Sequence, residues 1–274
     1  MSVGKKTAFG VLLDIDGVLY VGDEPIEGAH RALRELRALS GGVRMLTNTT
    51  SRSRREVHEH LLKLGFDVSL EEVLTPAAMV ERYCRERDFG SVTVLVSERL
   101  REDLAALEST PLGAQPDAVI LGDLGDGFTP EVMNATFRAM MDGAELVALQ
   151  HNRYWRRADG LALDVGAYAA ALECATGTEA VTLGKPARAF FEAAMADMGP
   201  EHGVMIGDDI EADVGGAMAA GLAGILVRTG KYHESILTAR VTPTAIADSI
   251  KDVPSLLARI LPLSGPRPVP RRTA

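Results

Sequence analysis

Apolar positions along the chain fall into short unbroken runs separated by stretches with helical spacing. Phe9-Gly-Val-Leu-Leu13 is the first run, and it stops at Asp14, as a strand buried on both faces would. From Gly28 onward, Ala29, Ala32, Leu33, Leu36 and Leu39 recur along one helix face that Gly41-Gly42 closes. Val43, Met45 and Leu46 form a second run ending at Thr47-Asn48. Val57, Leu61 and Leu64 then mark a further helix with Gly65 at its end. Strand, helix, strand, helix predicts a parallel sheet covered on both faces.

The pattern returns toward the carboxyl end. Pro186 is expected to open a helix carrying Phe190, Phe191, Ala194, Met195 and Met198. Val204-Met-Ile206 reads as a strand running into Gly207-Asp208-Asp209, followed by a Gly- and Ala-rich helix and a strand from Gly224 to Val227. Residues between these halves alternate on their own account, with strands expected at 92–96, 119–121 and 146–149 and helices at 131–142 and 166–175. The expected fold is α/β: a Rossmann-like doubly wound parallel sheet from residues 1–75 and 183–263, with a second α/β domain, 76–182, inserted as a cap. Ser264 to Ala274 holds three Pro and three Arg with nothing to bury, and reads as a flexible tail.

Composition narrows the classes. The chain has 274 residues, 46% of them apolar, and a net charge of −9. Its longest charge-free stretch, Val214 to Val227, is too short and too Gly-rich to span a bilayer. Two cysteines, Cys84 and Cys174, support neither a disulfide framework nor a cysteine zinc site. The expectation is a cytoplasmic protein with no membrane partner. The acidic balance argues against nucleic acid as a partner, and oligomeric state stays open, a homo-oligomer included.

Four polar groups fall at predicted strand ends or helix starts, where open α/β sheets place ligands. In Asp14-Ile-Asp16-Gly17, alternation turns both carboxylates toward one small volume, where they repel unless a cation lies between them or one is protonated. Such a pair suits Mg²⁺-dependent phosphoryl transfer, one carboxylate attacking phosphorus while the other protonates the leaving oxygen and then activates water. Thr47-Asn48-Thr49-Thr50-Ser51 offers hydroxyls, an amide and helix-start N–H groups to phosphate oxygens, although plain N-capping accounts for much of it. Gly184-Lys185-Pro186 holds an ammonium at a helix mouth, and Gly207-Asp208-Asp209 with Asp213 supplies hard oxygen ligands for Mg²⁺.

These four motifs, in this order, resemble those of the haloacid dehalogenase superfamily. His151-Asn-Arg-Tyr-Trp155, Asp159-Gly-Leu-Ala-Leu163, Leu172-Glu-Cys-Ala-Thr176 and Thr229-Gly-Lys-Tyr232 are similar to its subfamily IIA, over about residues 8–262. The resemblance implies Asp14 as nucleophile and Mg²⁺ ligand, and Asp16 as general acid/base that binds the metal through its backbone carbonyl. It further implies Thr47 and Asn48 on the phosphate, Lys185 steadying the charge, and Asp208 completing the metal site. Asp209 and Asp213 match the family's acidic motif and are expected just outside the direct ligands.

About 140 residues separate Thr47 from Lys185, which places the inserted domain there. A lid at that point excludes water and reads the leaving group. His151, Asn152, Arg153 and Tyr154, with Trp155, are the candidates for that contact. Asp123 and Asp126 in Gly-Asp-Leu-Gly-Asp-Gly read as a Gly-rich turn, and His58 and His60, two apart on a helix, cannot share a face. The expected activity is a Mg²⁺-dependent phosphatase of small phosphorylated metabolites working through an aspartyl-phosphate. The competing reading is a receiver-like, phosphate-binding regulator phosphorylated on Asp14 without rapid turnover. Asp16 argues against it, since a protein that keeps its acyl-phosphate has no use for a base beside it. A dinucleotide fold is set aside for want of a Gly-x-Gly-x-x-Gly turn.

Overall fold

The computed structural model describes residues 9–157, 160–196, 198–199, 202–234 and 241–260. The tail expected at 264–274, and Asp159, lie outside the described residues.

The described residues open with strand β1 (Phe9–Asp14), wholly buried, and continue through α1 (Ala29–Leu39), β2 (Gly42–Leu46), α2 (Arg54–Lys63) and the short β3 (Val73–Leu74). A second run follows: α3 (Val80–Glu86), β4 (Val92–Leu95), β5 (Ala118–Leu121), α4 (Pro130–Met141) and β6 (Glu145–Ala148). It continues with an antiparallel pair, β7 (Tyr154–Arg157) and β8 (Gly160–Leu163), then α5 (Val165–Thr176) and β9 (Val181–Thr182). The chain then supplies α6 (Arg188–Ala196), β10 (His202–Gly207), a π-helical turn (Ile210–Gly215) leading into α7 (Gly216–Ala219), β11 (Ala223–Val227), β12 (Ala245–Ala247) and α8 (Val253–Ile260).

Two parallel sheets result. The larger has six strands in the order β12-β11-β10-β1-β2-β3, and the smaller four, β9-β6-β5-β4. Both are covered on each face, which is why their strands read as unbroken apolar runs. Val11 and Leu13 of β1 pack with Leu33 and Leu36 of α1 and Val57 and Leu61 of α2 on one side. Leu12, Leu46 and Met205 meet Phe190, Phe191 and Ala217 on the other. In the smaller sheet Ile120 and Val147 face Val80 and Leu100, while Leu121 and Leu146 face Val165 and Leu172.

The chain leaves β1 for β2 on one side, and β10 joins β1 on the other. Strand order therefore reverses at β1, opening a crevice beyond its carboxyl end, and both Asp14 and the segment after β10 arrive there. The smaller sheet is fastened over this edge by charged contacts: the Arg54 backbone N–H donates to Asp103 (2.8 Å), and Arg55 pairs with Glu102 (3.1 Å).

Two local expectations are corrected. Pro186 does not open α6. Lys185 and Pro186, joined by a cis bond, lie in a turn closed by the Ala187 N–H on the Gly184 carbonyl (2.9 Å), and the helix starts at Arg188. Likewise α2 does not begin at Asn48. Ser53 and Glu56 form a reciprocal capping box that sets the start at Arg54, leaving Thr47–Ser51 as a loop ahead of the helix.

Candidate active site

Beyond the end of β1 lies a cleft of about 180 Å³ lined by residues from both sheets. Asp14, the last residue of β1, is buried there with Lys185, which is only 3% exposed. The Lys185 ammonium donates to Asp14 Oδ1 at 2.5 Å and pairs with Asp213 Oδ1 at 2.7 Å. Burial alone would lower the lysine's affinity for its proton, but the charges of Asp14 and Asp213 outweigh that and raise it.

Asn48 explains how Lys185 is aimed. Its carboxamide clasps the lysine's backbone, the oxygen accepting from Lys185 N–H (2.8 Å) and the nitrogen donating to the Lys185 carbonyl (2.7 Å). Gly184 is required beside it, since a Cβ there would press on that oxygen. Thr47 is buried, with its hydroxyl accepting from the Thr49 N–H (3.1 Å). Asp16 is exposed on the turn after β1 and lines the same cleft as Asp14, as alternation predicts. Burial pushes the neighbouring Tyr20 hydroxyl up, and the Asp16 carboxylate adds to the shift.

Asp208 follows β10 and is 1% exposed. One oxygen, Oδ2, accepts from the Lys231 N–H at 2.7 Å, while Oδ1 is buried with no hydrogen-bond partner among the described residues. Gly17 and Gly230, both at positive φ (84° and 58°), lie against this carboxylate, and a Cβ on either would collide with it. Burial first, then the charges of Asp14 and Asp213, pushes the Asp208 carboxyl up to about 8. Asp213 is raised to about 7, burial leading and the charges of Asp14 and Asp209 adding to it against the pull of Lys185.

The π-helical turn delivers Asp213. Asp209 caps it, accepting from the N–H groups of Glu211 (3.0 Å) and Ala212 (2.9 Å), and the Val214 N–H reaches back five residues to the Asp209 carbonyl (3.2 Å). That extra residue in the turn brings Asp213 onto Lys185. Burial opposes ionisation of Asp209, but the Lys231 ammonium (3.4 Å) and those backbone donors hold it below the usual carboxylate range.

Asp14, Asp208 and Asp213 each present an oxygen within 4.8 Å of the others. Asp213 thus stands inside the acidic group, closer in than its motif suggested, while Asp209 faces Lys231. Three buried carboxylates against one bridging ammonium, an orphaned oxygen and a glycine-lined hollow fit a hard divalent cation.

The opposite wall comes from the loop after β6 and from β7, which bring Asn152 and Trp155 to the cleft. The other candidates there do not line it. His151 turns to Glu173 (3.2 Å), Tyr154 is 58% exposed on the outer side of β7, and Arg153 is exposed. In their place stand Asp123, Gln150 and Asp164, with Lys231 on the core side. Asp123 and Gln150 each follow a parallel strand, the one signal that marked them. Asp164, the N-cap of α5, was not singled out by the sequence. The Gly-rich turn expected around Asp123 is present, the aspartate accepting from the Gly125 N–H (2.8 Å).

Comparison with known proteins agrees with this geometry. Residues 11–110 match the family model described as haloacid dehalogenase-like hydrolase, and residues 182–253 a related model of HAD-like hydrolases. The chain is 41% identical over 227 residues to haloacid dehalogenase-like hydrolase domain-containing protein 2 of Homo sapiens, covering 82% of this chain and 86% of that protein. It is 38% identical over 242 residues to the human phospholysine phosphohistidine inorganic pyrophosphate phosphatase, covering 85% and 88%. Among solved structures, a glycerol phosphate phosphatase from Mycobacterium tuberculosis in complex with magnesium superposes with a TM-score of 0.78 at 30% identity, over 88% of this chain and 76% of that one.

Proposed function

Because the chain belongs to the haloacid dehalogenase-like hydrolase family and is a phosphatase of that family, we propose that it hydrolyses small phosphorylated compounds through a phosphoryl group carried transiently on Asp14. The observation that carries this reading is the buried Asp14–Lys185–Asp213 ion triad beside the orphaned Asp208 oxygen, at the foot of a polar cleft.

Asp14 is the nucleophile in this reading, and its carboxylate attacks phosphorus. Lys185 balances the negative charge that gathers as the phosphoryl group approaches, and Thr47 and Asn48 hold phosphate oxygens. Asp16, at the open side of the cleft, gives its proton to the departing oxygen. The same carboxylate then takes a proton from the water that attacks the acyl-phosphate. Asp14, Asp208 and the Asp16 carbonyl would hold the metal, for which Mg²⁺ is the proposed ion. When bound, it neutralises the clustered carboxylates and polarises the phosphate oxygens. Asp209 and Asp213 support that set, Asp213 through Lys185.

Residues 76–182 form the cap of this reading, covering the cleft and contacting the leaving group. The phosphorylated compounds named in the relatives, phosphoamino acids, pyrophosphate and glycerol phosphate, are the first to try. The proposed setting is cytoplasmic. No helix of the described residues is long and apolar enough to cross a membrane.

The test is phosphate release from 4-nitrophenyl phosphate and from that panel. Release should require added Mg²⁺, stop with EDTA, and fall at least about a thousandfold in folded Asp14→Asn. Turnover that persists in Asp14→Asn overturns the assignment. Phosphorylation of Asp14 without release would instead support the regulatory reading.

A further inference from the structure

Across the cleft from Asp14, the carboxyl ends of β5 and β6 supply Asp123 and Gln150, and the start of α5 supplies Asp164, with Asn152 and Trp155 also lining the cleft. This wall is built. Asp164 is buried, its Oδ1 accepting from Gln150 Nε2 (2.5 Å) and from the Val165 N–H (2.8 Å), and the Gln150 oxygen accepts from the Asn152 N–H. Gly166 presses the helix start so closely onto His151 and Asn152 that a Cβ would strike their backbone. Asp123 is half-buried, with Oδ1 taken by the Gly125 N–H.

The charges on the two walls differ. Among the described residues lining the cleft the cations are Lys185 and Lys231. Both belong to the core side, and both are engaged, Lys185 by Asp14 and Asp213, Lys231 by Asp209. The described residues of the far wall bring two carboxylates, two amides and an indole, without a cation. The phosphate end of a substrate has Lys185 and the metal site to offset its charge. The other end meets the Asp123 carboxylate, half-buried in the cleft wall, which repels a second anionic group and attracts a cationic one.

We infer that this wall selects a small leaving group bearing a positive charge, with its ammonium at the Asp123 carboxylate beside the Trp155 indole. The inference rests on the phosphatase reading above. A charged donor gains a charge-assisted hydrogen bond to Asp123 and an aromatic neighbour in Trp155. Asp123 is the specificity-determining contact. Asp164 is a positioning residue that fixes Gln150 and Asn152.

The experiment compares kcat/KM in saturating Mg²⁺ for three esters of similar size: phosphoethanolamine, propyl phosphate and phosphoglycolate. Phosphoethanolamine should exceed phosphoglycolate by at least about tenfold. Asp123→Asn, which keeps the acceptor for Gly125, should shrink the phosphoethanolamine to propyl phosphate ratio by about tenfold, and Asp123→Lys should move the preference toward phosphoglycolate. Circular dichroism melts establish that each variant is folded. The inference is overturned if phosphoglycolate is the best substrate, or if Asp123→Asn slows all three by one factor. Hydrolysis of propyl phosphate that Asp14→Asn abolishes upholds the phosphatase reading however those ratios fall. Hydrolysis of 4-nitrophenyl phosphate but of none of the three overturns the inference and leaves the phosphatase reading standing.

Discussion

Replacing Lys185 by Met would leave the buried carboxylates of Asp14 and Asp213 facing each other without the ammonium that bridges them. Removing one partner of a buried pair costs about 3–5 kcal/mol, so urea unfolding of the metal-free variant should show a loss of that size. Adding Asp213→Asn should restore part of it, because the repulsion then loses one of its charges. Asp208 gives a pH signature. Its carboxyl rises from an ordinary 3.8 to about 8, so between those values the folded protein holds a proton that the unfolded chain has released. Stability from this group is therefore lost as pH climbs through that window. In metal-free protein, the melting temperature should drop between pH 6 and 8.5 for wild type relative to Asp208→Asn, and a flat difference would contradict the assigned strain. At this scale Asp14 and Asp208 were legible, because each ends an apolar run. The Asp213–Lys185 pair was not, since it depends on a π-turn that no residue pattern announces. Asp164 was not singled out in the sequence, because its side-chain partner Gln150 lies 14 residues away around a hairpin.

Local signals decided the elements where they had no rival. Helix α1 shows a stripe of Ala29, Ala32, Leu33 and Leu36, all buried, and its limits follow that stripe. At α2 two signals competed. Thr47–Ser51 offers four hydroxyls, but only Ser53 has a glutamate three residues on to complete the box. Ser53→Ala should cost about 1 kcal/mol in urea unfolding, and no loss would mean the box contributes nothing. It should also weaken the seat of the cap, since the next residue's N–H holds Asp103. Strand β12 and the β7–β8 pair escaped the sequence reading for different reasons. Ala245–Ala247 is too short for a period to register, and the hairpin has exposed Tyr154, Leu161 and Leu163 on one side, inverting the usual sense of an apolar run.

The molecule as a whole brings the carboxyl ends of strands from two parallel sheets to one cleft. The alternation of runs and helices carried that architecture, because sheets covered on both faces must be built from apolar strands. Which wall residues face the cleft was settled only by packing. Charge is the global consequence: with a net −9 and a carboxylate-lined site, the protein should gain stability from a divalent cation. At a hundred times its dissociation constant Mg²⁺ should add about 2.7 kcal/mol, seen as a rise in melting temperature that Asp208→Asn lacks. The central claim is that the phosphoryl group passes through Asp14. It is tested most directly by quenching the enzyme in acid during turnover of 4-nitrophenyl phosphate and mapping the peptides by mass spectrometry. The account predicts one added phosphoryl group on the peptide containing Asp14, removable by hydroxylamine. Steady hydrolysis with that peptide unmodified at every quench time, or with the group on another residue, would contradict it.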